Sequence, residues 1–280
     1  MRTAEVLDLF GLAPEDRDDY EALLAQPGDR AEVVRTRTLL RSRLGTFPDL
    51  PPSLDVSGEV WLRAVAAEVP ALTAWYRQHE IGMDVVADTL ADVGHHIALH
   101  RRATGTFGLD AGPWISAHFG GGLFRLGRLQ FMLRHRRLRE PAPPGHERDP
   151  WLLDVHIPAT GPMLPGAVSR GFDRAADFFP RHFPQQQVTV AVCHTWLLDP
   201  YLSEHLPEDS NLVAFQEAWT AFGHRDNAAD DPLWFLFHTR DLSKVPALPR
   251  KSTLQRVVLE RIEAGGTWQR GHGYRELDAG

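Results

Sequence analysis

Over the first hundred or so residues, apolar positions recur at helical spacing. AEVLDLF, DYEALLAQ, RAEVVRTRTLLRSRL, EVWLRAVAAEVPALTAWYRQHE and MDVVADTLADVGHHIALHRRA all carry this pattern, with Pro, Gly and Asp breaks between the runs. In the last run Val86, Leu90, Val93 and Ile97 stand at i, i+4, i+7 and i+11, which is one continuous helical stripe. TGTFGLDAGP (104–113) interrupts the periodicity and predicts a boundary. The chain therefore divides into a helical domain over 1–108 and a second domain over 109–280.

Beyond the boundary the pattern changes. GLFRLGRLQFMLRH (122–135) is strand-like, with glycines that suggest a bulge or a close backbone approach. RHRRLREPAPPGHERDP (134–150) predicts a basic, proline-rich loop. WLLDVHIP (151–158) alternates, with Leu153, Val155 and Ile157 on one strand face and Asp154 and His156 on the other. The following helix has Pro165 near its start, Val168, Phe172, Ala175 and Phe179 on its buried side, and Pro180 as its expected end. QQVTVAVCHTWLLDP (186–200) and NLVAFQEAWTAF (211–222) predict two further strands, and DPLWFLFH (231–238) fits a helix or a buried strand. STLQRVVLERIEAGG (252–266) is a helix, with Ser252 and Gln255 as a capping box and Gly265 as its stop. The span 152–198 is long enough for a right-handed crossover between parallel strands.

Composition narrows the function classes. With 280 residues, 43% hydrophobic and 24% charged, the chain can bury a core without covalent staples. Its one cysteine, Cys193, excludes an internal disulfide and fits a reducing compartment. A net charge of −7 argues against bulk attraction to nucleic acid. The N-terminal apolar residues are interleaved with acids, so neither a signal peptide nor a membrane span is expected. A soluble, cytoplasmic protein without a membrane partner is the expectation, and the patterns say nothing of oligomeric state.

Several residues can carry chemistry. A strand that turns into a helix leaves backbone N–H groups and the positive end of the helix dipole at the turn, which together suit an anion. Here Gly161 and Gly166 permit close approach, and Ser169, Arg170 and Arg174 lie on the early helical turns. Neither a P-loop nor a dinucleotide-binding glycine fingerprint is present. His156 and His194 close their strands, where open α/β sheets place ligands, and a neutral imidazole can act as a general base. Cys193 and His194 point to opposite strand faces and cannot pair with each other as nucleophile and base. His96 and His100 have the spacing of a helical metal pair but lack a Glu and a third ligand, so packing explains them better and no metal is expected. Arg125 and Arg128 interrupt an apolar strand and need a partner or solvent.

TLADVGHHIALHRRATGTFGLD, GGGLFRLGRLQF, LLDVHIPATGPM, VCHTWLLDPYLSEHLPEDSNLVAFQ and STLQRVVLERIEAGGTWQRGHG run in order from residue 89 to residue 273. Together they resemble bacterial acyltransferases that join a helical N-acyltransferase N-terminal domain to a GNAT-like C-terminal domain. The resemblance implies an α+β fold, a helical N-terminal domain followed by a GNAT-like mixed α/β sheet domain. It also implies acyl-CoA as co-substrate, lying between LLDVHIP and VTVAVCHTWLL with its pyrophosphate on ATGPMLPGAVSR. Better-known members carry a turn of the type Arg/Gln-x-x-Gly-x-Gly/Ala, and this chain has ATGPMLPGA in its place. On this reading Ile157, Thr160, Gly161, Gly166, Ser169, Arg170 and Arg174 bind the cofactor, and His156, His194 and Asp154 are the catalytic candidates. Arg125, Arg128 and Trp196 are the substrate-binding candidates, and the implied reaction is direct attack of a small-molecule amine on the CoA thioester. Two alternatives stand beside it. One is a hydrolase using Cys193 or a His-bound metal, which thiol alkylation or chelation would inhibit. The other is a non-catalytic acyl-CoA or peptide-binding module, which would bind without turnover.

Overall fold

The structure, a computed structural model, describes residues 1–48, 54–137 and 140–277. They fall into two compact units: 1–48, 54–126, 130–135 and 178–186 form the first, and 127–129, 136–137, 140–177 and 187–277 the second.

The first unit is mainly helical, with α1 (Thr3–Asp8), α2 (Pro14–Ala25), α3 (Arg30–Arg43), α4 (Gly58–Gln78), α5 (Met83–Thr104) and α6 (Gly112–His118). The expected stripe on α5 is real: Val86, Leu90, Val93 and Ile97 are all fully buried. Gly94 lies within it, where a Cβ would stand 2.2 Å from the Phe10 carbonyl oxygen. The Gly94 N–H donates to that same oxygen at 3.0 Å, so α5 passes the end of α1 at backbone contact. Buried Glu68 on α4 accepts from Arg37 Nε at 2.7 Å and Arg41 Nε at 2.9 Å, tying α3 to α4. Between α5 and α6, buried Asp92 accepts from Trp114 Nε1 at 2.8 Å and lies 3.0 Å from His118 Nε2. Burial alone would raise the Asp92 carboxyl, but His118 and Trp114 hold it well below the usual carboxylate range.

The strand-like run 122–135 is a hairpin rather than one bulged strand. β1 (Leu123–Leu126) and β2 (Leu129–His135) turn at Gly127, whose φ of +79° suits glycine. Arg134, fully buried, and His135 close β2, so the expected loop starts two residues late. Leu138 and Arg139 of that loop lie outside the described residues.

In the second unit β3 (Trp151–His156) runs parallel to β4 (Val190–Thr195), with Leu153 opposite Ala191 and Asp154 opposite Val192. This is the expected crossover, with α7 (Pro165–His182) between the strands in the chain; its residues from Phe178 on count with the first unit. The helix continues two residues past Pro180, since the ring removes one intrahelical bond and Phe183 N–H still reaches Phe179 O at 2.8 Å. A 3₁₀ turn (Trp196–Leu198), α8 (Tyr201–His205) and α9 (Asn211–Glu217) follow. Most of the expected strand over 211–222 is therefore helix. Ser210 caps it by accepting from Leu212 N–H, and the run is rich in helix formers up to Thr220. Only Thr220–Ala221 (β5) is extended, followed by β6 (Asp226–Asn227). DPLWFLFH resolves as helix α10 (Asp231–Phe237), and α11 (Thr253–Glu263) has the expected capping box. The last strand, β7 (Gln269–Glu276), is antiparallel to β4, β5 and β6, completing a mixed sheet in this unit. Its core gathers Trp196, Leu202, Val258 and Trp268, and no described helix is long and apolar enough to cross a membrane.

One polar knot closes the far end of this sheet. His146 Nδ1 lies 2.8 Å from Asp149 Oδ2, its Nε2 lies 2.8 Å from Glu276 Oε1, and Thr189 Oγ1 donates to Asp149 at 2.8 Å. Burial works to lower the His146 pKa, but the Glu276 and Asp149 carboxylates outweigh it and hold His146 above its ordinary value. The stabilisation from a raised histidine pKa is complete below the unfolded value and disappears as pH rises through the folded one. His146→Gln is therefore expected to cost more stability at pH 6 than at pH 8.5, measured by urea unfolding at both. Gly94→Ala is expected to lose about 1–3 kcal/mol in the same assay, because the added methyl meets backbone that cannot retreat.

Candidate functional site

The turn between β3 and α7 is built around an arginine. Arg128 donates from Nη1 to Pro158 O at 2.9 Å, from Nε to Pro162 O at 3.1 Å and from Nη2 to Gly161 O at 3.1 Å. One guanidinium thereby fixes three carbonyls of a loop with little regular bonding of its own. Thr160 N–H closes back on Pro158 O at 2.8 Å, and Gly161 takes a φ of +71°. Pro165 opens α7, and both Ala167 and Val168 N–H bond Leu164 O, so the Gly166 N–H precedes the first intrahelical bonds. At Gly166 a Cβ would meet only Arg170 Nη1, at 3.4 Å. Ser169, Arg170 and Arg174 are exposed on the first turns, and Ile157 and Thr160 are half-buried at the strand exit. An exposed helix N-terminus with two arginines beside an open glycine has the donor set for a phosphate group.

The second cluster lies on the sheet. Asp154 is opposite Val192, so strand alternation puts Leu152, Asp154 and His156 on the face that carries Val190, Val192 and His194. On β7, His272 is directly opposite His194 and Tyr274 is opposite Val192. The two imidazoles meet with Nδ1 to Nδ1 at 2.6 Å. His272 Nε2 lies 3.3 Å from Asp226 Oδ2, and His194 Nε2 lies 3.6 Å from Glu140 Oε1. Among the described residues, the buried His194 Nε2 has no hydrogen-bond partner. Burial and the nearby His194 lower the His272 pKa, and Asp226 opposes them.

With a proton on His272 Nε2, toward the Asp226 carboxylate, His272 would present a lone pair at Nδ1, His194 would donate its Nδ1 proton to it, and a lone pair would stand on His194 Nε2. A histidine held in this tautomer can take a proton at Nε2, with the Glu140 carboxylate beside it to stabilise the resulting imidazolium.

A family model described as N-acyltransferase N-terminal domain matches residues 1–121, and a model described as GNAT-like C-terminal domain matches residues 123–275. The chain belongs to the acyltransferases that join these two domains. Solved structures agree. An acyltransferase in complex with decanoyl-CoA is 28% identical at a TM-score of 0.85, over 99% of this chain and 88% of that one. An acyltransferase mutant in complex with octanoyl-CoA is 29% identical at a TM-score of 0.86, with the same coverage. A complex of an acyltransferase with decanoyl-CoA and teicoplanin is 30% identical at a TM-score of 0.84, also over 99% and 88%. A comparison with curated proteins finds no match. The protein is thus an acyltransferase of the GNAT-like type.

Other residues of this acyltransferase take plainer places. Trp196 is 4% exposed and meets Trp268 edge-on in the core. Arg125, in the first unit, is half-buried, and its backbone N–H donates to Thr89 Oγ1 at 3.0 Å. Burial first, and then the Asp154 charge, push the Cys193 thiol well above its ordinary range, and its Sγ donates to Val155 O at 3.4 Å. A buried thiol that resists ionisation is a poor nucleophile. Among the described residues no group of three or more His, Cys, Asp or Glu side chains forms a metal site. His272, Asp226 and Glu140 were not among the sequence candidates. A histidine between two glycines in QRGHGY is their one local signal.

Arg128→Ala is expected to raise the KM for acyl-CoA about tenfold or more, because charged hydrogen bonds of ~1.5–3 kcal/mol each order the turn. The kcat should change much less. Arg128→Lys, which reaches fewer carbonyls, should fall between the two in steady-state kinetics.

Proposed function

We propose that the protein transfers an acyl group from acyl-CoA to an amine of a small-molecule acceptor by direct attack, with His194 as the general base. The observation that carries this reading is the Asp226–His272–His194 chain at the sheet end beside the β3–α7 turn, with the buried His194 Nε2 lacking a hydrogen-bond partner among the described residues. The teicoplanin complex of a structural relative supports a glycosylated peptide as the acceptor class. The β3–α7 turn and Arg170 and Arg174 hold the CoA pyrophosphate, and the thioester lies toward the ends of β3 and β4.

In the reaction the amine nitrogen gives up a proton to His194 Nε2 as it bonds to the thioester carbonyl carbon. Strand backbone N–H stabilises the oxyanion that develops. Collapse of that intermediate breaks the C–S bond, and CoA leaves as a thiolate. Glu140 faces the charged His194, while His272 and Asp226 hold its other nitrogen. His156 and Asp154 share this face, and on this reading His156 contacts the acceptor while buried Asp154 lies behind it.

His194→Ala is expected to lower kcat by roughly 10²–10⁴ with little change in acyl-CoA binding. A binding module would instead show unchanged binding and no turnover to lose. His272 must stay neutral, and its pKa lies below the ordinary histidine value. Activity should therefore rise with pH through a limb below about 6.5 and be level above it. Asp226→Asn removes the one group that opposes the lowering, so its limb should move to lower pH while the rate falls. A pH–rate profile in which that limb stays fixed in both His272→Gln and Asp226→Asn would sink the relay.

A further inference from the structure

Three large apolar side chains stand exposed on one short stretch of the second unit: Trp234 at 37%, Phe235 at 52% and Leu242 at 59%. They are not loosely held. Leu233 on the inner side of α10 packs with Val245 and Leu259 in a buried cluster that Phe237 joins. With that side fixed, the helical period turns Phe235 outward and sets Trp234 on the flank. His238 ends α10 in the left-handed region, with a φ of +54°, and brings the chain back so that the Arg240 guanidinium lies 5.2 Å over the Trp234 ring. The 3₁₀ turn Leu242–Ala247 follows, with Val245 inward and Leu242 and Lys244 outward.

The charge around these side chains runs against the rest of the molecule. Although the whole chain carries −7, residues 230–257 contain Arg240, Lys244, Arg250, Lys251 and Arg256 against Asp230, Asp231 and Asp241, and Arg240 Nη1 lies 3.7 Å from Asp230 Oδ2. Both lysines of the protein are in this stretch. Arg240, Lys244, Lys251 and Arg256 are exposed. Exposed aromatic and aliphatic side chains with exposed cations in the same stretch of chain suit the headgroup level of a bilayer, with rings in the acyl boundary and cations on anionic headgroups.

Size separates a lipid surface from a protein partner. The three side chains expose on the order of 300 Å² of apolar surface. A stable protein interface needs about 800 Å² on each side. We propose that the protein docks on an anionic lipid surface through Trp234, Phe235 and Leu242, with Arg240, Lys244, Lys251 and Arg256 on the headgroups. A surface-bound protein needs no membrane span, so the interleaved N-terminal sequence does not bear on this. Long-chain acyl thioesters are amphiphiles and collect at the same surface, which makes docking useful to an acyltransferase.

The test is co-sedimentation of the full chain with phosphatidylcholine vesicles, with and without phosphatidylglycerol, at salt from about 0.1 to about 1 M. The expected result is binding to the anionic vesicles that falls steeply with salt, and little binding to the neutral ones. Trp234→Ser/Phe235→Ser/Leu242→Ser should abolish it, and Arg240→Glu/Lys244→Glu should weaken it about tenfold or more. Because the charge variant alters only exposed side chains, it keeps the test valid if the triple variant fails to fold. Both variants should retain acyl transfer from a water-soluble short-chain acyl-CoA. Failure of the native protein to bind anionic vesicles overturns the proposal, as does equal binding by native protein and charge variant. Lipid-free self-association that the charge variant abolishes, without vesicle binding, would assign the surface to a second copy instead.

Discussion

The pairing of β4 with β7 runs from Val190 opposite Glu276 to Thr195 opposite Gly271, and the proposed chemistry depends on that register. It puts His194 against His272, and a shift of one residue would put a glycine, Gly271 or Gly273, there instead. The opposite face of β7 locks it. A Cβ at Gly271 would stand 2.7 Å from Leu198 O, and one at Gly273 would stand 2.8 Å from Trp219 Cβ. The two glycines that let neighbouring elements close on one face thus bracket His272, which faces His194 on the other. At the far end the same strand delivers Glu276 to His146, so both ends of the register carry a polar closure.

A parallel economy operates at the donor end. β3 supplies Asp154 and His156 to the polar face and Val155 to the face of Cys193. Continued into the turn, it presents three carbonyls to Arg128. The strand thereby serves the proposed acceptor and CoA subsites at once. Cys193 follows from the same alternation. As the residue between Val192 and His194 it points away from the histidine face, where burial and Asp154 keep its thiol protonated.

Much of this was legible where the signal is local. The α5 stripe, the Ser252–Gln255 capping box and the strand–helix–strand order of 151–195 all follow from spacing within one element. The alternation of Asp154 and His156 against Leu153 and Val155 was equally readable, as was His194 at a strand end. The losses share a cause. β7 is built from QRGHGYRE, which has no β-branched residue, and it becomes a strand because β4, β5 and β6 pair with it. Tertiary pairing overrides propensity there, and with β7 went His272, which is 78 residues from its partner. Arg128 was found as a residue needing a partner, but that its partners are the carbonyls of 158–162 depends on a return of the chain that no local pattern encodes.

The turn itself shows how a departure from a familiar motif can keep its physics. Pro162 and Pro165 remove two N–H donors from the turn that the proposed function assigns to the CoA pyrophosphate. Fewer donors would leave the negative carbonyl ends to dominate the local field. Arg128 counters this, because one cation holds the oxygens of Pro158, Gly161 and Pro162. The positive end of α7, the Gly166 N–H and Arg170 and Arg174 then set the sign of the field at its mouth. On the proposed function, anion affinity would reside in Arg170, Arg174 and the α7 terminus, with Arg128 fixing the turn. A rigid, proline-containing turn suits it, since less conformational freedom is lost when a phosphate arrives.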